Sequence, residues 1–542
     1  MASITRGSTA RPWWRAMAMA LLLAPLANAD GGAQPSPWWG MRGIPEPPPA
    51  SVPFVDRFGQ YIHRDWPGKL PDEQALLARR AAEEVALDAR PRAADRDPYG
   101  GWTGGPKREA TGWFRTEQID GRWWFITPTG YCFFSIGMDC VGTWERSFVE
   151  GRKDWFAWLP AENDPRFGGI YGQAEGAHSM AETIGGKGQT FSFYAANLAR
   201  KYGADWKDQW RRSAYRRLDA WGFNTVGNWS QADVIEHSPL PYVASTALQG
   251  VPEIAGAEGY WSRMMDVYDP AFERIADTAI RGLTAAHRDR PMCLGYFVDN
   301  ELAWEGVARG VLNSPAQQPA RLAMLDQLKQ RYSGIAALNA AWETDFAGWE
   351  ELAPPATLNT AAQQDCDAFL HTFASRYFRG IADALDRHAP NQLYLGARFA
   401  AAPAPAVRAC AEFADVVSFN LYQPRLGPED FAALAPLNKP ALIGEFHFGA
   451  TDRGHFHPGL VKTDSQSARA QAYVAYLQSA LENPLVIGTH WFQYIDEPLT
   501  GRWFDGENYN IGFLDVTDTP YPELTEAATA INHQAAALRG VR

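Results

Sequence analysis

The sequence predicts a (β/α)₈ barrel, and three observations predict it. Beyond residue 110, eight short apolar runs suited to buried parallel strands alternate with helical stretches. Polar residues interrupting those runs gather at their C-terminal ends. Eight is the barrel number, and C-terminal strand ends are where a barrel gathers its active site.

In order, the runs are YCFFSIGMD (131–139), GFNTVGNW (222–229), LPYVAST (240–246), CLGYFVDNE (293–301), LYLGARF (393–399), DVVSFNLY (415–422), ALIGEFHF (441–448) and LVIGTHWFQY (485–494). Four helices fit between them: KDQWRRSAYRRLDAW before the second, DPAFERIADTAIRGLTAAH before the fourth, CDAFLHTFASRYFRGIADALDRH before the fifth and SARAQAYVAYLQSALEN before the eighth. Short turns such as Trp221-Gly222 and Asn483-Pro484 feed the next run. The polar strand-end residues are Asp139, Asn228, Asp299-Asn300-Glu301, Asn420, Glu445-Phe446-His447 and His490 to Gln493.

Ahead of this core, Arg6, Arg11 and Arg15 precede an apolar run from Ala16 to Leu26 and an Ala27-Asn28-Ala29 site, which reads as an export signal over 1–29. It is too short for an ordinary membrane span, so the mature protein is expected to be soluble in the periplasm or the medium. Residues 30–110 read as a Pro-rich, charged arm packing on the barrel, with one helix in DEQALLARRAAEEVALDAR, and 111–542 as a single catalytic domain.

The formal charge of -12, from 50 basic and 62 acidic residues, argues against nucleic acid or an anionic membrane as partner. Five cysteines, at 132, 140, 293, 366 and 410, are too few and scattered for a disulfide scaffold and read as reduced packing residues. The 22 tryptophans suggest sugar binding, since flat aromatic faces stack on pyranose rings, though any single Trp more safely reads as core.

Glycosidic hydrolysis needs a proton donor and an opposed carboxylate. The fourth run ends in Glu301 and the seventh carries Glu445 inside ALIGEFHFG, where an unpaired acid is costly to bury. Strands four and seven lie nearly across a barrel, and a retaining pair stands about 5–5.5 Å apart. The bland alternative makes each Glu half of a structural ion pair. Asn300 is placed to reach the substrate 2-hydroxyl, and alternation forbids Asp299, Asn300 and Glu301 from all entering the pocket unless the strand has ended or bulged.

Asn-Glu ending strand four with Glu ending strand seven resembles clan A of the glycoside hydrolases. The strings GYFVDNELAW (295–304), LIGEFHFGATDRGHFHPGL (442–460) and HWFQYIDEPLTGRWFDGENYNIGFLDVTDTPYPEL (490–524) resemble glycoside hydrolase family 50, the β-agarases. VDRFGQYIHRDWPGK and GWFRTEQIDGRWWFITPTGYCFFSIGMDCV extend the likeness over about residues 55 to 525. The resemblance implies a retaining enzyme without metal or cofactor, cutting β-1,4 galactosidic bonds of agarose, often exolytically. Glu301 is then acid/base and Glu445 nucleophile. Another β-galactan, porphyran or β-glucan, or a non-catalytic sugar-binding barrel, are the alternatives.

Further substrate-binding candidates are Asn228, with Trp229 beside it, Tyr422, His447, Trp491 and Trp304. Trp491 reads as a platform beneath the cleaved sugar or as a core Trp; Tyr422 reads as a donor to the nucleophile or as a buried Tyr satisfying its own hydroxyl. Glu507 and Asn508 fall in a loop where turn chemistry also explains them. His447, His455 and His457 with Asp452 lack the H-E-x-x-H spacing of a zinc site, and none is expected to hold a metal.

Overall fold

The computed structural model describes residues 52–90, 93, 95–259 and 261–540. The export signal lies outside the described residues. Each of the eight predicted runs contains a strand: β1 Ser135–Met138, β2 Thr225–Val226, β3 Tyr242–Thr246, β4 Cys293–Val298, β5 Leu393–Tyr394, β6 Val417–Asn420, β7 Ala441–Phe446 and β8 Val486–Trp491. Their order in the sheet is β5-β4-β3-β2-β1-β8-β7-β6. A parallel bridge from Phe399 to Phe419 joins the two end strands, so the sheet closes as a (β/α)₈ barrel. Most strands are shorter than the apolar runs; the first starts late because Cys132–Phe133 pair instead with Phe125 and Ile126, and the fourth stops at Val298, ahead of its polar end.

The chain divides into two compact units. One comprises Ala244–Asn420 and Phe431–Ala441. Here β4 and β5 pair in parallel, Gly295 facing Leu393. Helices Phe272–Thr284, Thr360–His388 and Ala404–Phe413 cover these strands. The second of these starts six residues before the predicted stretch, because Asn359 caps it by accepting from the Ala362 N–H at 3.0 Å. An aromatic core of Trp304, Tyr377, Phe378 and Phe399 fills the space beneath them.

The second unit holds the described chain up to Val243, Leu421–Asp430 and the chain from Leu442 onward. Its ladder runs β8-β1-β2, Gly488 facing Ser135 and Gly137 facing Thr225. Gly137 is required there: an added Cβ would lie 2.3 Å from the His490 ring, which hydrogen-bonds Ser135 Oγ at 2.9 Å. Helices Trp206–Ala220, Gln466–Glu482 and Pro522–Asn532 back the ladder. The first ends at the predicted Trp221-Gly222 turn, with Gly222 at φ 76.

Within this unit the arm packs through Phe54 and Val55 onto Trp155, Phe156, Phe191 and Phe193, and its helix Glu73–Asp88 presents Glu83 to Arg217. A hairpin absent from the sequence reading, Arg115–Ile119 with Arg122–Ile126, precedes the barrel. Asp120 and Gly121 both take positive φ in its two-residue turn, as a right-handed twist requires. All five cysteines are free and buried, as predicted. Among the described residues no helix is long and apolar enough to cross a membrane.

Candidate active site

In the first unit, β4 ends at Val298, and the next three residues leave strand geometry. Asp299 and Glu301 adopt left-handed φ values of 60 and 49, so strict alternation no longer governs which way the side chains point. Asp299 turns away, accepting from the Tyr377 hydroxyl at 2.6 Å and from the Leu248 N–H at 2.8 Å. Burial pushes its carboxyl up to about 6, the two hydrogen bonds opposing that shift.

Asn300 and Glu301 share one neighbour, Asn420 at the end of β6. Its Nδ2 donates to Glu301 Oε1 at 2.7 Å and to Asn300 Oδ1 at 3.2 Å. Arg398, fully buried just after β5, donates through Nε to the same Asn300 oxygen at 2.8 Å. Neither Arg398 nor the role of Asn420 was foreseen. The available signals were a charged residue inside the apolar run LYLGARF and an amide ending the sixth run.

In the second unit, Glu445 lies near the end of β7 and is 2% exposed. Its carboxylate accepts from Trp229 Nε1 on Oε1 at 3.0 Å and from the Tyr422 hydroxyl on Oε2 at 2.5 Å. Trp229 achieves this with a left-handed φ of 61 just after β2. Its neighbour Asn228 is buried, anchored by its backbone N–H to Asp139 Oδ1 at 2.8 Å. Both polar atoms of the Asn228 side chain lack a protein partner among the described residues.

Three candidates are differently employed. Trp491 is fully buried, not a sugar platform: it packs against Phe446, Phe448, Tyr473 and Phe513 and donates Nε1 to the Ile511 carbonyl at 3.0 Å. Alternation along β8 sends it to the helix layer while His490 points to Ser135. Trp304 is likewise core, stacked on Phe378 with ring centres 5.3 Å apart. His447 is no sugar donor, because both ring nitrogens serve the backbone: Nδ1 contacts the Phe492 carbonyl at 3.1 Å, and Nε2 accepts from the Leu460 N–H at 2.9 Å. Burial first, then Arg469, holds it neutral. Its ring instead packs 4.7 Å from that of Tyr422.

The remaining loop residues are similarly engaged. His455 contacts the Glu497 carbonyl, His457 accepts from the Gly459 N–H, and Asp452 accepts from Gln466. Glu507 belongs to a buried ion cluster in which Arg502 meets Glu497, Asp505 and Glu507. Asn508 donates to the Leu499 carbonyl. Among the described residues no group of three or more His, Cys, Asp or Glu is arranged to hold a metal ion.

A family model described as β-galactosidase matches residues 239–434. Beta-agarase B of Vibrio sp. (strain JT0107) is 35% identical over 526 residues, 90% of this chain and 55% of that protein. Beta-agarase A of the same strain is 35% identical over 458 residues, 77% and 45% of the two chains. The solved structure of an exo-beta-agarase superposes with a TM-score of 0.84 at 35% identity, covering 90% of this chain and 74% of that one.

The chain belongs to the agarase family of glycoside hydrolases. It spans about half the length of the curated agarases it matches. In this agarase-family chain the two glutamates thus have contrasting settings. Glu445 accepts from the Trp229 indole and the Tyr422 phenol, one on each oxygen. Glu301 accepts from the Asn420 amide on Oε1.

Proposed function

We propose that the chain is an exported, retaining exo-β-agarase of glycoside hydrolase family 50 in clan A, with Glu301 as acid/base and Glu445 as nucleophile. The observation carrying this reading is the burial of Glu445 against Trp229 and Tyr422, which donate to its two oxygens and hold the carboxylate in place for attack. Glu301 donates its proton to the leaving glycosidic oxygen while a Glu445 oxygen bonds to the anomeric carbon. The same Glu301, now ionised, takes a proton from water as that water displaces Glu445 and restores the β configuration. Asn300 contacts the 2-hydroxyl, a bond that strengthens as the sugar approaches its oxocarbenium-like state, and Asn228 offers its amide to another hydroxyl.

The printed names of the relatives, β-agarase and exo-β-agarase, support agarose as the substrate and release from a chain end. The β-galactosidase model over 239–434 favours a second reading, in which the same acids act on another β-galactan. The first oligosaccharide released from agarose, neoagaro-oligosaccharides and a galactan panel separates the two. Azide separates the catalytic roles: Glu301→Ala with azide yields a β-glycosyl azide, and Glu445→Ala yields the α-anomer. The reverse pattern, or wild-type turnover in either variant, overturns the assignment. Export is tested by N-terminal sequencing of secreted protein, which should begin at Asp30.

A further inference from the structure

We propose that Asn420 is a positioning residue that dictates which oxygen of Glu301 carries the transferable proton, its own orientation being imposed by Arg398. The inference rests on the acid/base reading of Glu301 and assigns the atom that performs it.

Donor and acceptor inventories fix the orientation of each amide. A guanidinium has N–H donors and no acceptor. Arg398 Nε, 2.8 Å from the Asn300 side chain, therefore demands the amide oxygen, which turns Asn300 Nδ2 the other way as a donor. Asn300 Oδ1 is then an acceptor, so Asn420, 3.2 Å away, must face it with Nδ2. An amide nitrogen carries two hydrogens, and the second points to Glu301 Oε1 at 2.7 Å. One buried cation thus removes the flip ambiguity from two amides in series.

For a carboxylic acid the consequence is asymmetric. An oxygen already accepting a short N–H bond is the poorer place for a proton, so neutral Glu301 carries its proton on Oε2. The Asn420 bond also favours the ionised form that Glu301 must reach when the proton leaves. Backbone pairing holds the assembly in register: the Glu301 N–H donates to the Arg398 carbonyl at 3.2 Å, and the Asn420 N–H to the Phe399 carbonyl at 2.8 Å. The charged side chains joined to this network are Arg398, bonded to Asn300, and Asp299, which is turned to Tyr377 and Leu248.

The test is the pH profile of kcat/KM for Asn420→Ala and the isosteric Asn420→Asp on a neoagaro-oligosaccharide, with melting curves to confirm folding. Loss of the donor moves the basic limb, which reports the acid, upward by about one pH unit, and the added charge in Asn420→Asp moves it at least as far. The acidic limb stays in place. Turnover of the oligosaccharide falls at least about tenfold, whereas an aryl β-galactoside with a good leaving group, which needs no protonation, loses little.

A uniformly lowered profile with an unmoved basic limb in folded variants would overturn the proposal and leave Asn420 merely structural. Glu301→Gln keeps the two failures distinct. If that variant still turns over the oligosaccharide, the acid/base reading itself falls. If it is inactive while the Asn420 variants keep the wild-type limb, only the positioning role falls.

Discussion

Tyr422 donates its phenolic hydrogen to Glu445 Oε2 at 2.5 Å, and the adjacent Leu421 N–H donates to the Glu445 carbonyl at 3.0 Å. The donor is thus fixed to its acceptor by main chain as well as side chain. Hydrogen bonds to a charged group contribute about 1.5–3 kcal/mol. Tyr422→Phe should lower kcat/KM about 10- to 100-fold, with little change in melting temperature, measured by steady-state kinetics on a neoagaro-oligosaccharide. Unaltered kinetics would mean that the phenol only satisfies itself.

Trp491 offers the opposite signature. Fully buried among four aromatic rings, its truncation to Ala leaves a cavity costing about 3–5 kcal/mol. Trp491→Phe should depress the melting temperature while KM stays at the wild-type value. A several-fold rise in KM without loss of stability would restore it as a sugar platform.

Glu145 couples stability to pH. Burial pushes its carboxyl from an ordinary 4.5 up to about 7, with Arg502 and the Gln493 amide opposing. A raised folded value favours the protonated form, so the associated stability is complete below about 4.5 and is lost as pH rises toward and through 7. Glu145→Gln retains an acceptor for Gln493 and never ionises. It should match wild type near pH 4.5 and exceed it at pH 8 by roughly 1–3 kcal/mol in urea titrations. Equal stability at both pH values would show that the buried acid does not ionise at a cost.

Asp518 runs the other way. Burial pushes its carboxyl up, but Arg217 at 2.7 Å and Lys201 at 2.8 Å more than offset this and hold it well below the ordinary 3.8. A depressed value contributes stability above about pH 3.8 that is lost as pH falls through the folded value. Arg217 also pairs with Glu83 on the arm helix, so the cluster ties that helix to the segment before Pro522–Asn532. Asp518→Asn should cost about 3–5 kcal/mol at pH 7, because it leaves buried cations short of charge, and should blunt the acid transition. Thermal melts from pH 3 to 7 measure both effects.

The eight strands, four helices and both glutamates were legible because their signals are local. An apolar run of strand length, a helical period, and an acid inside a run where burial is expensive can each be read within about 20 residues. The tether of Tyr422 to Glu445 was legible for the same reason, since 23 positions separate them on consecutive strands. Trp304 and Trp491 were misread because an indole beside an active-site strand is equally good core material; only the direction of its side chain distinguishes the roles.

The sequence by itself determined the barrel, the order of its strands and the pair of acids proposed to do the chemistry, since period, length and burial cost are properties of short segments. Tertiary structure alone decided how each acid is held. Trp229 reaches Glu445 from 216 positions away, Asn420 reaches Glu301 from 119, and Arg398 reaches Asn300 from 98. A hydrogen bond's value rests on a few tenths of an ångström and on which end of an amide faces its partner, and strand register and the left-handed turns at 229, 299 and 301 set both.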